Sequence, residues 1–177
     1  MKNDLRKLAK EKRCNLNIEQ ISSKVKNILF SCSEYKNAKN ILCYYSFGNE
    51  ICTVDYFNDK SKNWYLPKIE GDNLLVCKYE PDNLKKNQYG ILEPINEPIK
   101  NLSILDLIII PALCADKKGY RLGYGKGFYD RFLKKLNSAP VKIVLTCEDL
   151  LFDDVCPESF DEKCDIIVTD KEKYNVI

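Results

Sequence analysis

The chain has 177 residues, 45% of them hydrophobic and 31% charged, with a formal net charge of +2. That length and apolar content fit a single domain over residues 1–177 and exclude a disordered chain. So balanced a charge excludes nucleic-acid binding by bulk electrostatics, and no apolar run approaches the roughly 18 residues of a membrane span, so neither a nucleic-acid nor a membrane partner is expected.

Residues 2–13 have helical spacing, with Leu5, Leu8 and Ala9 on an apolar face. Lys2, Arg6, Lys10 and Arg13 recur three or four apart and form a basic stripe. It reads either as a solvated charged face or as a cationic finger laid across a polyanion. No apolar signal-peptide core occupies this N-terminal segment, and a cytoplasmic protein is expected. Asn17 is a good N-cap with Gln20 three residues on, opening a second helix through Ile18, Ile21, Val25 and Ile28. Ile41–Tyr45 is strand-like and ends in a turn-rich loop that carries Glu50. Thr53 is placed to cap a helix through Phe57. Glu50 thus lies just past the carboxyl end of a strand, where open α/β sheets bind ligands. Residues 64–67 and 74–79 read as two strands joined by a Glu70–Asn73 turn. Residues 81–101, with Pro81, Pro94 and Pro98, lack periodicity.

Residues 105–111 (LDLIIIP) are apolar on both faces apart from Asp106, as a central parallel strand requires. After them, four of the seven glycines fall between Gly119 and Gly127, among Lys117, Lys118, Arg121 and Lys126. The period then turns helical, with Phe128, Phe132, Leu133 and Leu136 on one face. Residues 141–145 and 165–169 complete the set of strands. The alternation predicts a three-layer α/β/α domain with a mostly parallel central sheet.

Buried strand, glycine-rich basic loop and helix point backbone amides at an anion, typically a phosphate. The bland alternative is a glycine turn before a basic helix start. A G-x-x-x-x-G-K-[ST] loop is excluded, since Gly127 follows Lys126. A G-x-G-x-x-G fingerprint is excluded as well, because the spacing is Gly123-x-Gly125-x-Gly127. A carboxylate at Asp130 would repel an anion unless it held Mg2+ that bridges to it. There is no histidine, which rules out Ser-His-Asp and Cys-His catalysis. The nine cysteines contain no C-x-x-C and read as small buried hydrophobes, with disulfides or a zinc site as the alternative.

Pro111–Asp116 followed by Gly119–Leu133 resembles the signature of the 5-formyltetrahydrofolate cyclo-ligase family. Ordered matches cover nearly the whole chain: Lys2 with Arg6, Glu50 with Thr53, Leu66-Pro67, Gly90–Pro94, and Asp165 through Thr169. The resemblance implies a Rossmann-like, CoA-transferase-like fold and a cytoplasmic monomer. It also implies ATP- and Mg2+-driven closure of 5-formyltetrahydrofolate to 5,10-methenyltetrahydrofolate through an N5-iminophosphate. Another ATP-dependent kinase or ligase, or a non-catalytic binding module, is the alternative.

Carried over by residue, Lys126 and Arg121 would be catalytic. Lys2, Arg6, Arg121, Leu122, Gly123, Tyr124, Gly125, Lys126, Gly127, Phe128 and Tyr129 would hold ATP. Arg6, Tyr45, Glu50, Tyr124 and Phe128 would hold the folate, and Asp130 and Asp165 would hold Mg2+. The chain departs from the family pattern at Ala112, where glycine is common, at Phe160, where histidine is common, and around Glu148 in place of a glutamine.

Overall fold

The computed structural model describes residues 1–176. Helices α1 (Lys2–Cys14), α2 (Ile18–Ser31) and α3 (Ser33–Asn37) precede strand β1 (Asn40–Cys43). Hairpin β2 (Asn63–Glu70) and β3 (Asn73–Lys78) follows, then a small hairpin, β4 (Leu84–Lys86) and β5 (Leu92–Pro94). Next come β6 (Leu107–Pro111), β7 (Cys114–Asp116), β8 (Arg121–Leu122) and helix α4 (Phe128–Lys134). The chain closes with β9 (Val141–Leu145), β10 (Leu151–Phe152), β11 (Ile166–Val168) and β12 (Lys173–Asn175).

Seven strands form the central sheet in the order β12-β11-β9-β6-β1-β2-β3. The run from β11 to β2 is parallel, and only the two edge strands are antiparallel. The mostly parallel α/β sheet expected from the sequence is present. Its strands are apolar throughout because both faces are covered. Ile41, Cys43, Leu107 and Ile109 face one side, with Val25 and Leu29 of α2 and Tyr35 of α3. Leu42, Ile108, Ile110 and Val144 face the other, with Phe132 and Leu133 of α4. Alternation along each strand thus feeds two separate clusters.

Local signals explain several boundaries. The Asn17 side chain accepts from Gln20 N at 3.1 Å and starts α2. Asp106, the one polar residue of the central run, accepts from the amides of Lys39 (2.9 Å) and Asn40 (2.8 Å) and thereby fixes the start of β1.

Three departures have physical causes. The segment through residues 81–101 holds the β4–β5 hairpin, whose three-residue strands are too short to show a period. β7, β8 and β10 make an unforeseen three-stranded sheet, for the same reason. Thr53 precedes only a 3-10 turn (Val54–Asn58), because its hydroxyl donates to Tyr44 O at 2.6 Å rather than capping. Among the described residues no helix is long and apolar enough to cross a membrane.

The chain leaves β1 toward β2 on one side, while β6 pairs on the other. That reversal opens a crevice at the carboxyl ends of β1 and β6, the usual ligand site of such sheets.

Candidate active site

A cavity of about 690 Å³ occupies this crevice. Tyr44 and Tyr45 after β1, Pro111 at the end of β6, and the whole stretch Arg121–Asp130 line it. Lys2 and Arg6 reach it from α1, and Glu50 from the loop after β1. The first half of the basic stripe therefore lies at the cavity wall rather than on an open solvated face.

The glycine loop is delivered by the β7–β8 hairpin. Asp116 is fully buried, and its carboxylate accepts from the amides of Lys118 (3.0 Å), Tyr120 (3.1 Å) and Val155 (3.1 Å). Gly119 turns that hairpin at φ +94°, and a Cβ there would stand 2.7 Å from Cys164 O. No other residue fits without a shift of backbone. Gly125, at φ +97°, lets the Arg6 guanidinium lie flat on the loop, 3.4 Å from where a Cβ would be. Arg6 Nε donates to Gly123 O at 3.1 Å and Nη1 to Asn3 at 2.7 Å. Arg131 Nη1 donates to Lys126 O at 2.9 Å, fixing the far end of the loop.

The cations in the cavity differ in how free they are. Lys126 is exposed and shows no ion pair among the described residues. Lys2 is clamped by Glu158 and Asp161, each at 2.6 Å. Burial pulls the Lys2 ammonium pKa down, but hydrogen bonds to Asp161 and Glu158 outweigh it and leave it raised. Arg121, expected on phosphate, lines the cavity and in this structure is engaged by protein groups. It is 8% exposed, with Nη1 on Glu162 O at 2.9 Å and Nη2 on Asp130 Oδ1 at 3.0 Å. Its fork is spent on orienting Asp130.

Glu50 is drawn inward by its own loop, where Phe47 N donates to its Oε2 at 2.9 Å. Burial raises its pKa above the ordinary carboxylate value, and the Phe47 amide, the Arg13 charge and the Tyr124 hydroxyl moderate that rise. Burial, then the Glu50 charge, pushes the Tyr124 phenol up to about 12. Tyr45 stacks on Phe57 with ring centroids 5.7 Å apart, which sets its orientation at the cavity wall. The buried Tyr129 hydroxyl has no partner among the described residues.

Of the residues the sequence assigned to the site, Asp165 alone does not line the cavity. Its Oδ2 accepts from Lys142 N at 2.8 Å, and Oδ1 lies 3.7 Å from Lys142 Nζ. The expected pairing of Asp165 with Asp130 on one cation finds no support in this placement: Asp165 anchors the start of β9. No group of three or more metal-ligating side chains occurs among the described residues. Asp130 does fit a cation. Both of its bonds, from Arg121 and from Glu162 N, fall on Oδ1, which leaves Oδ2 open.

Phe47, Tyr89 and Glu158 also line the cavity and escaped the sequence reading. They lie in loops without periodicity, and only their nearness to Glu50, Gly90 and Asp161 could have suggested them. All nine cysteines are free.

Comparison with known proteins agrees with this geometry. The 5-formyltetrahydrofolate cyclo-ligase family profile matches residues 1–170. The chain is 39% identical over 129 residues to a 5-formyltetrahydrofolate cyclo-ligase of Haemophilus influenzae, covering 66% of this chain and 69% of that one. It is 29% identical over 174 residues to one from Mycoplasma genitalium, covering 94% and 96%. The NMR structure of Aquifex aeolicus 5,10-methenyltetrahydrofolate synthetase superposes with a TM-score of 0.87 at 32% identity, covering 99% of this chain and 92% of that one. A synthetase of the same name from Mycoplasma pneumoniae gives 0.72 at 26% identity, covering 96% and 98%. With the family profile matched over residues 1–170 and 99% of the chain superposed on a solved synthetase, the chain belongs to the 5-formyltetrahydrofolate cyclo-ligase family.

Proposed function

We propose that the chain closes 5-formyltetrahydrofolate to 5,10-methenyltetrahydrofolate while converting ATP to ADP and phosphate, with Mg2+ as the cation. Family membership and the activities named for its relatives support the reaction. The observation that carries it here is a single cavity uniting Lys126, unpaired among the described residues, with a half-buried carboxylate, Glu50. We also take the enzyme to be monomeric and cytoplasmic, the compartment being supported by nine free cysteines.

The formyl oxygen attacks the γ-phosphorus and the bond to ADP breaks, leaving an N5-iminophosphate. N10 then attacks the activated carbon, the carbon–oxygen bond breaks, phosphate departs and the N10 proton is released. Both nucleophiles belong to the substrate, which is why a chain without histidine can run the reaction. Catalysis then rests on positioning and on neutralising charge on the transferred group. Lys126 supplies that charge, with Arg6 held over Gly125 beside it. Lys2 reaches a phosphate only by exchanging it for the Glu158 and Asp161 carboxylates.

Glu50 accepts pterin N–H groups, and Tyr45 and Phe128 offer ring faces. Mg2+ would neutralise charge on the phosphate groups, and Asp130 Oδ2 is the oxygen that would hold it. Arg121 keeps that carboxylate aimed.

The test is an assay with ATP, Mg2+ and 5-formyltetrahydrofolate that follows methenyl absorbance and ADP together. Equal yields of the two support the reading. ADP formed with no change in the folate spectrum overturns it.

A further inference from the structure

Lys126 hangs from a loop with few ties of its own. Among the described residues, two hydrogen bonds hold the backbone from Gly123 to Lys126: Arg6 Nε to Gly123 O at 3.1 Å, and Arg131 Nη1 to Lys126 O at 2.9 Å. Helix α4 then starts at Gly127 with no side-chain cap. Arg131 lies on α4 and does not line the cavity, so it meets the site only through the loop.

The same guanidinium also reaches the other way. Its Nε (3.2 Å) and Nη2 (3.0 Å) both donate to Asp72 O, in the turn between β2 and β3. Those two strands bring Ile69 and Leu74 to the cavity wall. One planar group thus joins the lysine loop to that wall. A Cβ at Gly127 would stand 2.9 Å from Arg131 Nη1, so the guanidinium lies in space that the glycine leaves. The Phe128 ring, which lines the cavity, has its centroid 5.3 Å from Arg131 Cζ. Lys135, one turn further along α4, donates to Asn73 Oδ1 at 2.9 Å. That bond ties the helix to the same turn but involves no atom of the glycine loop.

We propose that Arg131 is a positioning residue for phosphate transfer. It staples the Lys126 carbonyl to the β2–β3 turn and so fixes the base from which the Lys126 side chain enters the cavity. Lysine carries its charge on a flexible four-carbon stem, so the place of the ammonium depends on the backbone beneath it. The inference rests on the reading of Lys126 as the cation that meets the transferred phosphate. Lysine at position 131 would keep the charge but not the planar fork that spans two carbonyls.

The experiment compares R131M, R131K and K135M with wild type by kcat, by KM for ATP and for 5-formyltetrahydrofolate, and by melting temperature. R131M lowers kcat by about tenfold, the scale of a small misplacement of a catalytic group. Both KM values stay near those of wild type. R131K is as slow as R131M. K135M, which loosens the helix from the turn and leaves the loop tied, keeps the wild-type kcat. In a K126A background, R131M adds no further loss, because Arg131 acts through Lys126.

Wild-type kcat in R131M, restored kcat in R131K, a K135M as slow as R131M, or the same R131M loss on top of K126A each overturns the proposal. Should R131M melt below the assay temperature, R131Q takes its place with the same expectations. Wild-type protein that makes no methenyl product rejects the reaction and the proposal together. Normal kcat in K126A rejects the reading of Lys126, and the role of Arg131 with it. A slow K126A beside an unimpaired R131M rejects the role of Arg131 alone.

Discussion

Arg121 and Asp130 meet at the cavity wall, Nη2 to Oδ1 at 3.0 Å, with side chains 4% and 21% exposed. The pair joins β8 to α4, nine residues apart in sequence, and leaves the second oxygen of Asp130 open. A carboxylate fixed in this way is a ligand aimed in advance rather than a mobile surface charge. Asp130→Asn keeps the shape but halves the acceptor capacity. The Mg2+ concentration for half-maximal turnover should rise by about tenfold or more, the usual cost of disturbing a ligand set. Folate binding in the absence of nucleotide should hold. A magnesium titration of the variant checks both, and an unchanged curve removes Asp130 from the cation site.

Lys126 sits at the tip of the loop with its ammonium unpaired among the described residues, and its carbonyl is fixed by Arg131. Lys126→Ala removes charge without disturbing any contact of the fold. Turnover should drop by about 10²-fold or more with thermal stability unchanged, as for other groups that act on developing charge. Steady-state kinetics beside a melting curve would separate the two effects. Normal kcat would mean that another cation meets the transferred phosphate.

Burial raises the Glu50 pKa, so the folded chain holds its proton more tightly than the unfolded one. The stability of the protonated form is full below the unfolded pKa and is lost as pH rises through the folded value. Glu50→Gln should therefore be at least as stable as wild type at neutral pH. The gap in Tm should close as pH falls to about 4, near the unperturbed Glu value. Folate binding runs the other way, weakening in wild type as pH falls through the raised pKa. Melting curves from pH 4 to 8, together with folate titrations, follow both signs. A variant that melts lower than wild type at neutral pH would show that the Glu50 charge stabilises the fold.

Gly119→Ala tests the hairpin that carries the loop. The new Cβ would lie 2.7 Å from Cys164 O at φ +94°. Backbone strain of this kind costs about 1–3 kcal/mol. A denaturant midpoint lowered to match, with activity per folded molecule reduced because Gly123–Gly127 shifts, is the expected result. An unchanged midpoint would mean that the β11 approach yields readily.

Much of the fold was legible because periodicity is local. The LDLIIIP run announced a strand buried on both faces, and Asn17 announced a helix start, without reference to anything distant. Two- and three-residue strands such as β8 and β10 carry no period, so their sheet had to be seen. The glycine loop was placed correctly on a strand-to-helix passage, and every residue of Arg121–Asp130 lines the cavity.

Sequence by itself determined the main strands and helices of the central layer, the loop that lines the cavity, and the absence of histidine. It could not say which charges are free. Arg13 and Arg6 share one stripe, yet one is buried against Ala112 and the other lies on Gly123. Arg121 is bound to Asp130, Lys2 to two carboxylates more than 150 residues away, and Asp165 to Lys142 outside the cavity. Spacing along a chain reports which face of its own element a side chain occupies. The partner it meets there is set by how distant elements pack, and only the tertiary structure decides that.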